Sequence, residues 1–139
     1  MLLAIVVIVG FVFQSKVEDG LMKTAGKLLG VTATISYLLT ALTSPGLYDP
    51  LENVETKTRY IFNYFRYCHK CMHFSPKDVV HCMKCDTCIE GFDHHCPFVS
   101  KCVGKGNLLY FYAFMSSLSL FSIYVWYTIY LILMGKVGN

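Results

Sequence analysis

Cys68, Cys71, Cys82, Cys85, Cys88, Cys96 and Cys102 are all the cysteines of this 139-residue chain, and they fall within 35 residues. Thiolate and imidazole are the ligands zinc prefers when a closed tetrahedron holds a fold together. C-x2-C lets two sulfurs meet one metal from a tight turn, and two such pairs are present, Cys68/Cys71 and Cys82/Cys85. His81 directly precedes the second pair, too near to share its metal easily, and is expected to reach back to the first. Cys88 follows three residues after Cys85, and Cys102 closes the segment. Six cysteines and two histidines supply the eight ligands of two tetrahedral sites; spacing alone does not say which ligand serves which metal. His69 and His73, which flank the first pair, are expected to be solvated loop residues. The seventh thiol, Cys96, lies in Asp93-His94-His95-Cys96. It is a nucleophile candidate, because the reactive thiolate is only a few per cent of a thiol at an ordinary pKa of about 8.5 and needs a base. A neighbouring imidazole can take the proton, and an aspartate can fix that imidazole's tautomer.

The cysteine usage also bounds the compartment. An odd count, C-x2-C pairs and interleaved histidines suit zinc in a reducing environment better than a secreted disulfide scaffold. A 35-residue segment with little apolar core of its own would draw its folding energy from the metal. The region from Ser44 to Asn107 is therefore expected on the cytosolic face, and its eight Lys and Arg residues agree with the positive-inside rule. Lys16, Lys23 and Lys27, on what would be the far side, pull the other way. The thiol chemistry outweighs them. A net charge of +3 gives no indication of nucleic acid.

The elements that must hold this array are apolar helices. The chain is 55% hydrophobic and only 15% charged, against about 25% charged for ordinary soluble domains. Residues 108–134 run for 27 positions without a charge, and about 20 such residues span a bilayer core. Residues 28–43 form a shorter uncharged stretch that Thr24 to Lys27 would extend, with Lys23 and Lys27 snorkelling toward headgroups. Residues 1–13 are strongly apolar but short for a span, with neither the basic start nor the cleavage site of a signal peptide. They read as a first membrane helix that has lost its beginning. Gly20 and the Glu18-Asp19 pair mark a turn, and Ser44-Pro45-Gly46 ends the second helix. Residues 47–67 form an aromatic connector, and Gly104, Gly106 and Asn107 a turn into the last helix. No repeat is visible beyond the two C-x2-C units.

The full pattern, Cys68-x2-Cys71-x9-His81-Cys82-x2-Cys85-x2-Cys88-x4-Asp93-His94-His95-Cys96-x5-Cys102-x4-Asn107-x3-Phe111, covers 44 residues. It resembles the DHHC cysteine-rich domain of membrane-bound protein S-acyltransferases, the palmitoyltransferases. Ser44-Pro45-Gly46 resembles the Asp-Pro-Gly motif that follows that family's second membrane helix, with Ser44 in place of Asp. Other departures are Phe98 where the family usually has Trp, Ser100-Lys101 where an asparagine pair is common, and Val79 where Arg is usual.

The resemblance implies a ligand pairing: Cys68, Cys71, His81 and Cys88 on one structural zinc, Cys82, Cys85, His95 and Cys102 on the other. It leaves Cys96 as nucleophile with His94 and Asp93 as its catalytic partners. The implied fold is mainly α and integral to the membrane. Three transmembrane helices, of four in a full-length member, would carry a small two-zinc cytosolic module of short β-hairpins and loops. The expected organisation is 1–46 for the first two helices, 47–107 for the connector and zinc domain, and 108–139 for the third helix and tail. Family members continue into a fourth helix, so the chain reads as a fragment. The implied reaction moves a long-chain acyl group, typically palmitoyl, from acyl-CoA through a Cys96 thioester to substrate proteins with membrane-proximal cytosolic cysteines. The implied partners are thus acyl-CoA, such proteins and the lipid bilayer, with no nucleic acid and no particular membrane compartment. The alternative is a catalytically incomplete fragment or a zinc-stabilised membrane adaptor. A RING-like or ribbon module that binds protein or RNA would have no reason to keep Cys96 and His94 outside the metal sets.

Overall fold

The computed structural model describes residues 10, 12, 20–50 and 65–136. The first apolar stretch, apart from Gly10 and Val12, and the connector's residues 51–64 lie outside the described residues. Two compact units are formed: residues up to Leu38 together with Tyr112 onward, and Leu39–Phe111.

The first unit contains most of two helices, α1 (Gly20–Leu42) and α2 (Leu108–Leu133). Among the described residues these two are long and apolar enough to cross a membrane. α1 starts earlier than its uncharged stretch, at Gly20, and carries Lys23 and Lys27 in its first turns. Their contacts run in opposite order along the two chains, so the helices pack antiparallel. Tyr124 donates its hydroxyl to the Met22 carbonyl at 3.0 Å, Phe121 fits against Gly30, and Tyr37 meets Phe114 edge-on at 5.5 Å. Between them the Ser36 and Ser117 hydroxyls pair at 3.0 Å, buried. Thr32, Thr34, Ser119, Ser122 and Thr128 each return their hydroxyl to the carbonyl four residues back in their own helix. That local satisfaction lets hydroxyl-bearing helices sit in an apolar medium. Leu28, Ile35, Leu120, Ile123 and Trp126 are exposed on the outside of the pair. Helices apolar on nearly all sides are the pattern of membrane spans or deeply buried elements.

The second unit is built from three two-stranded antiparallel hairpins. They are β1 (Phe65–Cys68) with β2 (His73–Pro76), β3 (Val79–Cys82) with β4 (Thr87–Glu90), and β5 (His94–Cys96) with β6 (Lys101–Val103). Each closes through a four-residue loop whose last residue is left-handed: Met72 at φ 57°, Asp86 at 50°, Ser100 at 56°. The closing pairs are Cys68–His73, Cys82–Thr87 and Cys96–Lys101. The hairpins therefore repeat every fourteen residues, Cys68, Cys82 and Cys96 taking equivalent places. This corrects the expectation of no repeat beyond the C-x2-C pairs. The signal is weak in sequence because the third unit keeps only the first cysteine of its pair.

Pro45 cannot continue α1, and Gly46 turns at φ +93°. The segment that follows bridges to β4 at Leu47 and Ile89: Glu90 donates its N–H to Gly46 O at 2.8 Å, and Tyr48 donates its N–H to Cys88 O at 3.0 Å. The segment after β6 folds onto the same strip, with Gly106 N–H on Pro45 O at 3.1 Å and Lys105 N–H on Glu90 O at 2.9 Å. Gly104 and Gly106 are thus required by close backbone approach. A Cβ at Gly104 would lie 2.6 Å from both Pro45 O and Ile89 Cγ2, and one at Gly106 would strike Ser44 O. Asn107, fully buried, locks the strip. Its amide oxygen accepts from Gly104 N–H at 2.9 Å, and its amide nitrogen donates to Cys102 O at 3.1 Å and Thr40 O at 3.2 Å. The apolar core of the module is small, centred on Cys82, Ile89 and Cys102 with Phe92 against them.

Two substitutions test this strip. Gly104→Ala is expected to destabilise the module by about 2 kcal/mol through overpacking. Asn107→Ala, which orphans buried groups, is expected to cost about 3 kcal/mol. Thermal unfolding of the purified protein measures both.

Candidate metal centres and the thiol outside them

Two sets of four ligands converge in the module: Cys68, Cys71, His81 and Cys88, and Cys82, Cys85, His95 and Cys102, each within 4.8 Å of one another. In the first, His81 Nδ1 lies 3.2 Å from Cys71 Sγ and 3.9 Å from Cys88 Sγ, and Cys88 Sγ lies 3.4 and 3.6 Å from Cys71 and Cys68. In the second, His95 Nδ1 lies 3.7, 3.3 and 3.7 Å from Cys82, Cys85 and Cys102, and Cys102 Sγ lies 3.4 Å from Cys85. A zinc tetrahedron with Zn–S of about 2.3 Å and Zn–N of about 2.0 Å has edges of about 3.5–3.8 Å. The donor types and spacings fit a closed structural metal site. Both imidazoles aim Nδ1 at the thiols. On the far side of its ring His81 Nε2 comes within 3.4 Å of the Asp86 carboxylate, in ion-pair range but outside hydrogen-bond geometry.

Hairpin register explains how eight ligands sort into two sets. C-x2-C turns present both sulfurs at the end of a hairpin, whereas His81–Cys88 and His95–Cys102 are directly opposed pairs one rung further in. Each set combines the end of one hairpin with the rung of the next. The second hairpin serves both sets: His81 and Cys88 to the first, Cys82 and Cys85 to the second.

Without a cation, four crowded donors compete for protons. The Cys71 amide, donating to Cys68 Sγ at 3.4 Å, heads the influences that hold the Cys68 thiol below its ordinary range. Burial opposes ionisation of Cys82, but the Cys85 amide and the neighbouring thiols outweigh it, so Cys82 is also lowered. Burial, reinforced by the adjacent thiols, pushes Cys88 up to about 12 and raises Cys102 as well. Each set thus pairs a readily ionised thiol with a reluctant one, and a dication that favours all thiolates together would resolve the conflict.

Cys96 belongs to neither set; it is a free thiol, 3% exposed. The pleat of β5 separates its neighbours: alternate residues face opposite ways, so His95 turns to the second set while His94 and Cys96 share the other face. His94 Nδ1 lies 3.1 Å from Asp93 Oδ2, and its ring packs edge-on against Phe111 at 5.1 Å. With Nδ1 engaged by the carboxylate, Nε2 is the ring nitrogen outside that pair. Lys101, opposite Cys96, was not singled out as a site residue by sequence; its ammonium donates to Thr43 O at 3.1 Å, tying the hairpin to the end of α1. Its only sequence signal is its departure from a common asparagine. His69 is exposed against Tyr67 and His73 packs against Tyr48; neither joins a set.

Residues 61–138 match the family model described as DHHC palmitoyltransferase. Palmitoyltransferase ZDHHC9 of Bos taurus and of Homo sapiens is 57% identical over 60 residues, covering 43% of this chain and 16% of those proteins. Palmitoyltransferase ZDHHC18-B of Danio rerio is 33% identical over 142 residues, covering 82% of this chain and 37% of that protein. The chain thus spans well under half the length of these relatives.

Metal analysis of purified variants tests the two sets. Cys71→Ser and Cys85→Ser are each expected to lose one of two bound metals, and Cys96→Ser to keep both. Because the raised thiols hold their protons until a cation displaces them, zinc added to metal-stripped protein is expected to release protons. By the same sign, zinc affinity falls as pH is lowered, which a competitive chelator titration reads.

Proposed function

This chain belongs to the DHHC palmitoyltransferase family, and from that membership we propose that it acts as a membrane-bound protein S-acyltransferase with Cys96 as its nucleophile. The observation that carries the reading is the position of Cys96: a buried thiol outside both tetrahedral sets, on the strand face it shares with an Asp93-paired His94. The relatives' printed name, palmitoyltransferase, supports the long-chain acyl group. In this reading α1 and α2 are membrane spans, residues 1–13 contribute a further one, and the module faces the cytosol with two zinc ions. The organisation is 1–46, 47–107 and 108–139, as helices, zinc domain, and helix with tail. The zincs are structural: every ligand position is filled by protein, and they supply only the closure that a small core cannot.

The proposed chemistry balances without an oxidant or a nucleotide. His94 Nε2 accepts the Cys96 proton while Asp93 steadies the imidazolium. The Cys96 thiolate attacks the thioester carbonyl of a fatty acyl-CoA, the C–S bond to coenzyme A breaks, and the departing sulfur takes the proton. A substrate protein's cysteine then repeats the exchange, losing its proton to His94 and releasing Cys96. One thioester replaces another, so positioning rather than driving force is what the protein must provide. The half-exposed carboxylate–imidazole pair leaves the proton route open to water.

Incubation with labelled palmitoyl-CoA is expected to give a hydroxylamine-sensitive adduct that disappears in Cys96→Ser while metal content stays at wild type. A chain that binds metal normally and forms no adduct would be an adaptor, and the reading would fail. His94→Ala is expected to slow adduct formation by about a hundredfold at neutral pH.

A further inference from the structure

The three hairpins are one unit used three times. Cys68, Cys82 and Cys96 each end a strand and are paired across it with His73, Thr87 and Lys101. Met72, Asp86 and Ser100 supply the same left-handed residue at the end of each loop. Within that frame Cys71, Cys85 and Val99 are equivalent. The first two are ligands, partly exposed or exposed, whereas Val99 is an apolar side chain only 5% exposed. The third hairpin therefore has the backbone of a metal-binding turn and the first of its two sulfurs, with the second position closed by valine. Its rung, His95 and Cys102, still serves the preceding metal, as His81 and Cys88 do in the second hairpin.

We infer that Val99 is the residue that keeps Cys96 a nucleophile: by occupying the second ligand position of a metal-binding turn, it denies a thiophilic cation the two-sulfur grip found at Cys68/Cys71 and Cys82/Cys85. The inference rests on the proposed role of Cys96, and Val99 acts through that thiol as a positioning residue. Affinity depends on ligand number. A single cysteine cannot hold zinc against the two saturated sites beside it, whereas a C-x2-C turn brings a second thiolate from the same loop without further folding. A metal-bound thiolate is shared with the cation and lost to thioester attack, so the position sorts one hairpin for chemistry and its two sisters for structure.

Val99→Cys and Val99→His restore a ligand at this position; Val99→Ala does not. The full chain, with its two resident sites first exchanged to cadmium and kept under reducing conditions, is titrated with further cadmium ion. Metal content and the ultraviolet thiolate-to-cadmium band are recorded beside palmitoyl adduct formation. Val99→Cys or Val99→His is expected to take up one cadmium beyond the resident metals and to lose adduct formation, recovered on adding a chelator too weak to strip the resident sites. Wild type and Val99→Ala are expected to show neither effect. If neither ligand-bearing variant binds additional cadmium, or if both lose their resident metals, the inference is overturned, because the hairpin must accept a ligand where its sisters do. Failure of wild type to form an adduct would instead strike the proposed role of Cys96, leaving the cadmium uptake as a separate result.

Discussion

Every part of the module depends on ligands being shared between neighbouring hairpins. A four-residue strand pair is far too short to be stable alone, and the buried apolar residues at the module's centre are few. Because each set takes its turn from one hairpin and its rung from the next, a metal held there would bond adjacent hairpins to each other rather than merely close one loop. The second hairpin, with one ligand set on each side, becomes the keystone. The third hairpin is held on one side only, and its other face carries Cys96 and His94.

That arrangement separates the two kinds of sulfur chemistry by geometry rather than by distance. His94, His95 and Cys96 are consecutive, yet the two-residue pleat sends the middle one to a ligand set and the outer two the opposite way. A helix would have placed consecutive side chains about 100° apart and could not have divided them so cleanly. Thiol, unassigned imidazole and candidate metal ligand thereby share one strand.

Much of this is legible in sequence because metal ligands must be specific residue types at short spacings. The C-x2-C pairs and the surplus thiol could be read directly, as could the apolar run that became α2. Ligand sorting could not be read from spacing, since it follows from cross-strand register, and short hairpins dominated by Cys, His and Lys carry no hydrophobic alternation to reveal that register. The left-handed turn residues were hidden because Met72, Asp86 and Ser100 stand where glycine would have announced them. Gly104 and Gly106 resembled ordinary turn glycines, and only the crossing of the Ser44–Gly46 segment shows that their lack of a side chain matters for contact. Lys101 and Asn107 act through main-chain carbonyls far away in sequence, Thr43 and Thr40, which no local pattern encodes.

The chained ligand sets also impose an order on assembly. A chain made from its N-terminus presents the first complete set once Cys88 has emerged, whereas the second waits for Cys102, six residues beyond Cys96. The surplus thiol thus emerges after one tetrahedron can close and before the other can, when the unclaimed donors nearby are Cys82, Cys85 and His95. A metal entering the second set in that interval would meet Cys96 before its own last ligand. The later arrival of Cys102, buried and directly opposite His95, supplies the donor that the ladder register holds in the second set.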